Sequence, residues 1–233
     1  MKSEQYLVYT DIVKTPRATV EAFSNLSVAT VAEAQDCVGV LSPDIRPIYR
    51  PAKIAGTAVT CEVPPGDNWM IHVAVEQCAA GDILVIAPIE PCDAGYFGDL
   101  LATSLQSRGV YGLIIDAGVR DIATLTAMQF PVWSRTVHAS GTVKEGLCNV
   151  NVPIKCAGQL VHPGDMVIAD DDGVVVVPRQ SAEEVLEKAV EREANEEKKR
   201  KRLAEGELTL SMYGMRDLLE KKGLKYRSAQ DGD

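Results

Sequence analysis

The chain has 233 residues, a formal net charge of −9, 46% hydrophobic and 24% charged residues. That is enough for one large globular domain with an appendage. The negative balance counts against general nucleic-acid binding, though not against small anionic substrates, which respond to local charge.

In chain order, residues 1–25 read as a peripheral lead-in without the basic and apolar blocks of a signal peptide. Ser27 to Val38 predicts a helix, with Gly39 as its stop. Ile54 to Glu62 has strand character, Pro64-Pro65-Gly66-Asp67 is a loop, and Trp69 to Ala79 carries apolar residues at helical spacing. Ile83 to Ile89 is a near-continuous apolar run, as in a strand buried on both faces. After a loop with Pro91 and Gly95, a helix is expected from Gly98 to Arg108, a buried strand from Tyr111 to Asp116, and a short helix from Asp121 to Met128. Val132 to Val137, Ile154 to Cys156, Met166 to Ala169 and Val174 to Val177 read as short strands. The expectation is one domain of mixed sheet with helices, over residues 1–178.

Past Pro178 the composition shifts. Ser181 and Glu184 have the spacing of a capping box, opening a helix to about Glu205, ~36 Å long at 1.5 Å per residue. Beyond Val190 the next large aliphatic is Leu203, so this stretch reads as an arm. Leu208, Leu210, Met212, Tyr213, Met215, Leu218 and Leu219 form an apolar tail that needs a partner surface, expected on a neighbouring subunit. Residues 179–233 are therefore assigned to inter-subunit packing. The six cysteines form no CxxC pair, and no apolar run is long enough to span a membrane. Reduced thiols in a cytoplasm are expected.

Two turns stand out as chemistry. Gly98-Asp99-Leu100-Leu101 opens a helix, whose first amides lack internal acceptors and favour a carboxylate or phosphate. Arg120-Asp121 follows a buried strand; arginine grips carboxylates with two bonds, and a lone aspartate suits Mg²⁺ that keeps its waters. Each has a plainer reading: Asp99 complements the helix dipole, and Asp121 is an N-cap beside a solvated Arg120. Together, at one edge of an open α/β sheet, they point to a small carboxylate.

Other candidates read as structural. Asp170-Asp171-Asp172-Gly173 is a hairpin turn. Asp67-Asn68 caps a helix, with Asn68 able instead to orient a ligand. Glu196 sits in an exposed ladder with Arg192 and Arg200. His72, His138 and His162 have no mutual spacing that suggests a metal cluster, and His72 reads as a packing or surface residue. There is no GxGxxG, P-loop or GxSxG.

GDLLATSLQSRGVYGLIIDAGVRD resembles the signature of 4-hydroxy-4-methyl-2-oxoglutarate and 4-carboxy-4-hydroxy-2-oxoadipate aldolases, class II pyruvate aldolases related in fold to the regulator of ribonuclease activity A. The resemblance extends through PPGDNWMIH, QFPVWSRTV, CAGQLVHPGDMVIADDDGVVVVP and EREANEEKKRKRLAEGEL. It implies an α/β fold with a layered β/β/α, swivelling-domain-like core and a C-terminal helical arm. The implied reaction is retro-aldol cleavage of a 4-hydroxy-2-oxo diacid to pyruvate plus oxaloacetate or a second pyruvate, in aromatic acid catabolism.

The roles implied are specific. Asp121 would hold Mg²⁺ or Mn²⁺, Arg120 the substrate oxygens, and the amides from Gly98 through Leu100 and Leu101 the pyruvyl carboxylate. Asp99 would contact metal-held water, as would Glu196 (or its neighbour Glu197) from an adjacent subunit of a homotrimer or a hexamer of two trimers. Asn68 is a further substrate contact. Two alternatives remain at this point: an enzyme acting mainly as an oxaloacetate decarboxylase, and a non-catalytic protein that inhibits a ribonuclease.

Overall fold

The computed structural model describes residues 6–228. Two compact units divide between Val190 and Glu191.

The first unit is built on an eight-stranded mixed sheet. Its strands are β1 (Arg46–Pro47), β2 (Ile54–Val63), β3 (Asp82–Pro88), β4 (Gly95–Phe97), β5 (Gly112–Val119), β6 (Val132–Val137), β9 (Met166–Asp170) and β10 (Gly173–Val177). The order is β1-β6-β5-β3-β2-β9-β10, with β4 paired to β5. β2, β3, β5 and β6 run parallel, while β9 joins β2 antiparallel. A separate hairpin pairs β7 (Ile154–Cys156) with β8 (Gln159–Val161).

Alternation along the central strands builds two cores. Val59, Leu84, Ile86, Leu113 and Ile115 face the helices α3 (Trp69–Gln77), α4 (Asp99–Ser107) and α5 (Ile122–Ala127). Ala58, Ile83, Val85 and Ile114 face the other way, onto Trp133, Ile154, Cys156 and Val161. Helices therefore cover one face and the small hairpin the other, which is the expected β/β/α layering. Strands buried on both faces need this double cover, hence their unbroken apolar runs.

A third cluster packs α1 (Arg17–Phe23), α2 (Val28–Ala34) and the start of α6 (Ala182–Ala204) against Ala55, Met166, Ile168 and Val175. α1 corrects the reading of residues 1–25 as a lead-in: Val20 and Phe23 are buried, and Arg17 pairs with Glu21 one turn on. α2 opens as expected, with Ser27 Oγ accepting from Thr30 N at 3.0 Å, but ends at Ala34 rather than Val38. Asp36 and Cys37 adopt left-handed backbone there, which ends the helix before Gly39. β4 falls where the sequence predicts a loop around Pro91 and Gly95; three residues are too few to show a period. The triple aspartate is the β9–β10 turn, with Asp170 Oδ1 accepting from Asp172 N and Oδ2 from Val28 N.

The Ser181 hydroxyl donates to Pro178 O, in a 3-10 turn that leads into α6. In the second unit, α6 continues to Ala204, followed by α7 (Thr209–Met212) and α8 (Met215–Lys221). Leu208, Tyr213, Met215 and Leu218 are exposed there, and Lys199 Nζ lies 5.1 Å from the Tyr213 ring centre. All six cysteines are free thiols. Among the described residues no helix is long and apolar enough to cross a membrane.

Candidate active site

The site forms where β5 ends and α4 begins. β4 lies beside β5, and Arg120 N donates to Phe97 O at 2.9 Å. That bond sets Gly98, the N-cap of α4, against Arg120 and Asp121. A Cβ on Gly98 would come within 3.0 Å of Asp121 Oδ2 and lie 3.2 Å from its Cγ. Gly98 is extended, a conformation open to any residue, so space and not backbone freedom demands glycine.

Asp121 occupies the N-cap position of α5 but does not cap it. Its backbone is left-handed, and its carboxylate turns to α4, where Oδ2 accepts from Asp99 N at 3.3 Å. Arg120 Nε lies 3.7 Å from the same oxygen. The plain capping role anticipated for Asp121 is thus not the one its side chain adopts. The amides of Leu100 and Leu101, next in α4, have no intrahelical acceptor. Leu101 is buried and Leu100 is 82% exposed.

Gly98, Asp99, Leu100, Leu101, Arg120, Asp121 and Asn68 all line one cavity of about 160 Å³. Seven of the eight residues singled out from sequence are therefore brought together. Glu196 lies in the second unit, where Oε1 pairs with Arg192 Nε at 3.0 Å.

Asn68 does not cap α3. Its Nδ2 donates to Tyr96 O at 2.9 Å, and its buried Oδ1 has no partner among the described residues. A buried amide oxygen left unpaired costs free energy, which a ligand or water at the site would recover. The cap comes from Asp67, whose Oδ1 accepts from Trp69 N at 2.8 Å.

Three further residues complete the lining, and sequence reasoning did not find them: His72, Tyr96 and Lys144. Tyr96 is wall, since its hydroxyl accepts from Gly66 N and donates to Pro64 O, and burial pushes its pKa up. His72 sits on α3; burial, then the nearby Lys144 charge, hold its pKa below the ordinary histidine value. The same two causes favour the neutral ring over the charged one. Lys144 arrives from a loop remote in sequence, and no local pattern marks it.

The oxygen donors of the lining could hold a hydrated divalent cation. Asp121 is 37% exposed at its side chain, Asp99 stands beside it, and the Asn68 oxygen is unpaired. Among the described residues no three His, Cys, Asp or Glu side chains converge. One or two carboxylates with room for water suit Mg²⁺ or Mn²⁺, which keep much of their hydration, and not the closed cage of structural zinc.

The family model described as RraA-like, aldolase/RraA, matches residues 28–176. A Halalkalibacterium halodurans protein named "Putative 4-hydroxy-4-methyl-2-oxoglutarate aldolase" is 29% identical over 194 residues, covering 83% of this chain and 92% of its own. A Burkholderia multivorans protein of the same name is 32% identical over 137 residues, covering 59% of this chain and 83% of its own. The solved structure of Streptomyces coelicolor RraAS2, described as an unusual member of the RNase ES inhibitor RraA protein family, superposes with a TM-score of 0.73 at 26% identity. That match covers 81% of this chain and 98% of RraAS2.

Proposed function

The chain belongs to the RraA-like, aldolase/RraA family, and from that premise we propose that it is a divalent-metal-dependent lyase. It cleaves 4-hydroxy-2-oxo diacids such as 4-hydroxy-4-methyl-2-oxoglutarate or 4-carboxy-4-hydroxy-2-oxoadipate, releasing pyruvate. One observation carries this reading: the unpaired amides at the start of α4, Arg120 and Asp121 converge in one small cavity.

In the retro-aldol step the C3–C4 bond breaks, its electron pair passes to the pyruvate enolate, and the 4-hydroxyl proton leaves as a carbonyl forms. The Leu100 and Leu101 amides hold the C1 carboxylate, favoured by the helix dipole. Arg120 faces the 2-keto oxygen, where negative charge develops, and hydrogen bonds aimed there lower the barrier. Asp121 would hold Mg²⁺ or Mn²⁺, which when bound supplies Lewis-acid charge stabilisation. Asp99 orders water at the cavity, and water carries the proton off and returns one to C3. Glu196 of an adjacent subunit orders the same water in a homotrimer or hexamer; a monomeric mass in light scattering would remove that role. The same enolate stabilisation extends to oxaloacetate decarboxylation as a side activity.

The test is a coupled pyruvate-release assay on 4-hydroxy-4-methyl-2-oxoglutarate with Mg²⁺. Turnover is expected to vanish on chelation, to return with added metal, and to be absent in Asp121→Ala. Undiminished turnover under chelation or in Asp121→Ala defeats the metal mechanism. No pyruvate from any 4-hydroxy-2-oxo acid, with co-purification of a ribonuclease, would favour the non-catalytic alternative.

A further inference from the structure

The cavity holds two cations, and they differ in what they are committed to. Arg120 lies against Asp121. Lys144 makes no ion pair or hydrogen bond among the described residues, yet lines the same cavity. It belongs to a loop pinned on both sides of it. Val143 N donates to Gly66 O at 2.9 Å, and Asn68 N donates to Val143 O at 3.1 Å. On the other side Asp67 Oδ2 accepts from Glu145 N at 2.6 Å and Gly146 N at 2.7 Å. Asp67 is 2% exposed, and its other oxygen caps α3. One buried carboxylate thus ties the helix carrying His72 to the loop carrying Lys144. The loop is also short of room: a Cβ on Gly146 would fall 3.5 Å from Asp67 Oδ2 and within 3.0 Å of Pro64 Cγ.

An exposed lysine on a slack loop would be a solvated surface charge. A lysine whose neighbours on both sides are anchored, and which has no ion pair or hydrogen bond of its own among the described residues, is tethered with its charge at the cavity it lines. A mono-carboxylate 2-oxo acid is already matched by the α4 amides and Arg120. A second carboxylate, the one borne on C4 of a diacid, has Lys144 as the remaining cation of the lining.

We infer that Lys144 binds the distal carboxylate of a dicarboxylate 2-oxo acid and so sets the preference for diacids, with Asp67 as its positioning residue. This rests on the reading of the site as one for a 2-oxo acid. Lysine serves here as a point charge, which tolerates the several distances that different C4 substituents would present.

Calorimetry with two uncleavable probes of equal length, 2-oxoglutarate and 2-oxopentanoate, separates this subsite from catalysis. With Mg²⁺ present, the wild type is expected to bind 2-oxoglutarate more tightly by roughly 10- to 100-fold, the range for a hydrogen bond to a charged group. Lys144→Met should erase that preference while leaving 2-oxopentanoate unchanged, and Lys144→Arg should keep most of it. Asp67→Asn, which cannot satisfy all three amides as an anion does, should reduce the preference in part. Equal weakening of both probes by Lys144→Met, or a preference that survives it, overturns the inference. A Lys144-dependent preference without pyruvate release from the diacid would instead uphold the subsite and defeat the aldolase reading. In the pyruvate assay, Lys144→Met should raise KM for the diacid with little change in kcat, because the contact is the same in ground and transition states.

Discussion

Gly98→Ala adds one methyl group at the point where the site is tightest. The new Cβ would stand within 3.0 Å of Asp121 Oδ2, 3.2 Å from Asp121 Cγ and 3.3 Å from Arg120 Cγ. Backbone strain is not the issue, because φ is −152° and alanine adopts that freely. The group in the way is the far end of a side chain already 37% exposed, so it can swing aside. The stability cost should stay below about 1 kcal/mol, under the usual range for overpacking. On the proposed function the cost to activity is larger: moving the carboxylate by roughly 1 Å would misplace the metal it is proposed to hold, and such an error can cost about 100-fold, near 2.7 kcal/mol of barrier. Gly95→Ala is the control. Its Cβ would meet the backbone carbonyls of His138 and Ser140, which cannot swing, so about 1–3 kcal/mol of stability should be lost. Pyruvate release and thermal unfolding on both variants decide the matter. Gly98→Ala with full kcat/KM, or with a Tm loss matching that of Gly95→Ala, would show that the Gly98–Asp121 contact does not set the site.

Two other outcomes follow from buried charge. Burial raises the Asp67 pKa, but three backbone N–H donors and the nearby Lys144 charge outweigh it and hold the carboxyl below its ordinary value. Its stabilisation is therefore full above the unfolded carboxyl value near ~4 and is lost as pH falls through the lower folded value. Urea midpoints followed down from neutral pH should drop more steeply at the acid end for wild type than for Asp67→Asn; parallel curves would contradict this. At the opposite edge of the sheet, Lys14 Nζ pairs with the buried Asp82 at 2.6 Å, where Thr57 Oγ1 and Ala79 N also donate. Lys14→Met leaves that carboxylate two donors and no cation, so it should cost about 1–3 kcal/mol. An unchanged urea midpoint at constant m-value would refute it.

The parts of the site that could be read from sequence share one property: their function is set within a few residues. The start of α4 follows from Gly98-Asp99 before an amphipathic run, and Arg120-Asp121 follows directly on a buried strand. The elements that depart from the sequence pattern have either too few residues to show a period, as in β4, or a competing local conformation, as at Asp36 and Cys37 beyond α2. α1 did carry a signal, Val20 and Phe23 three apart beside an Arg17–Glu21 pair, but a helix of about two turns is weak evidence on its own.

The sequence by itself determined a mixed sheet with helices, because strands buried on both faces must read as apolar runs and their covering helices as amphipathic ones; the layering was implied by the family resemblance. It also determined that a helix start with free backbone amides and an Arg-Asp pair exist. Only the tertiary structure decided which way Asp121 faces, since the left-handed backbone turns its carboxylate from its own helix to α4. It likewise decided that Asp67 reaches 78 and 79 residues along the chain to Glu145 and Gly146, and that Lys144 between Val143 and Glu145 lines the cavity. Those contacts join segments that carry no shared local pattern, and their energy is realised only once the sheet has brought the two loops to one edge.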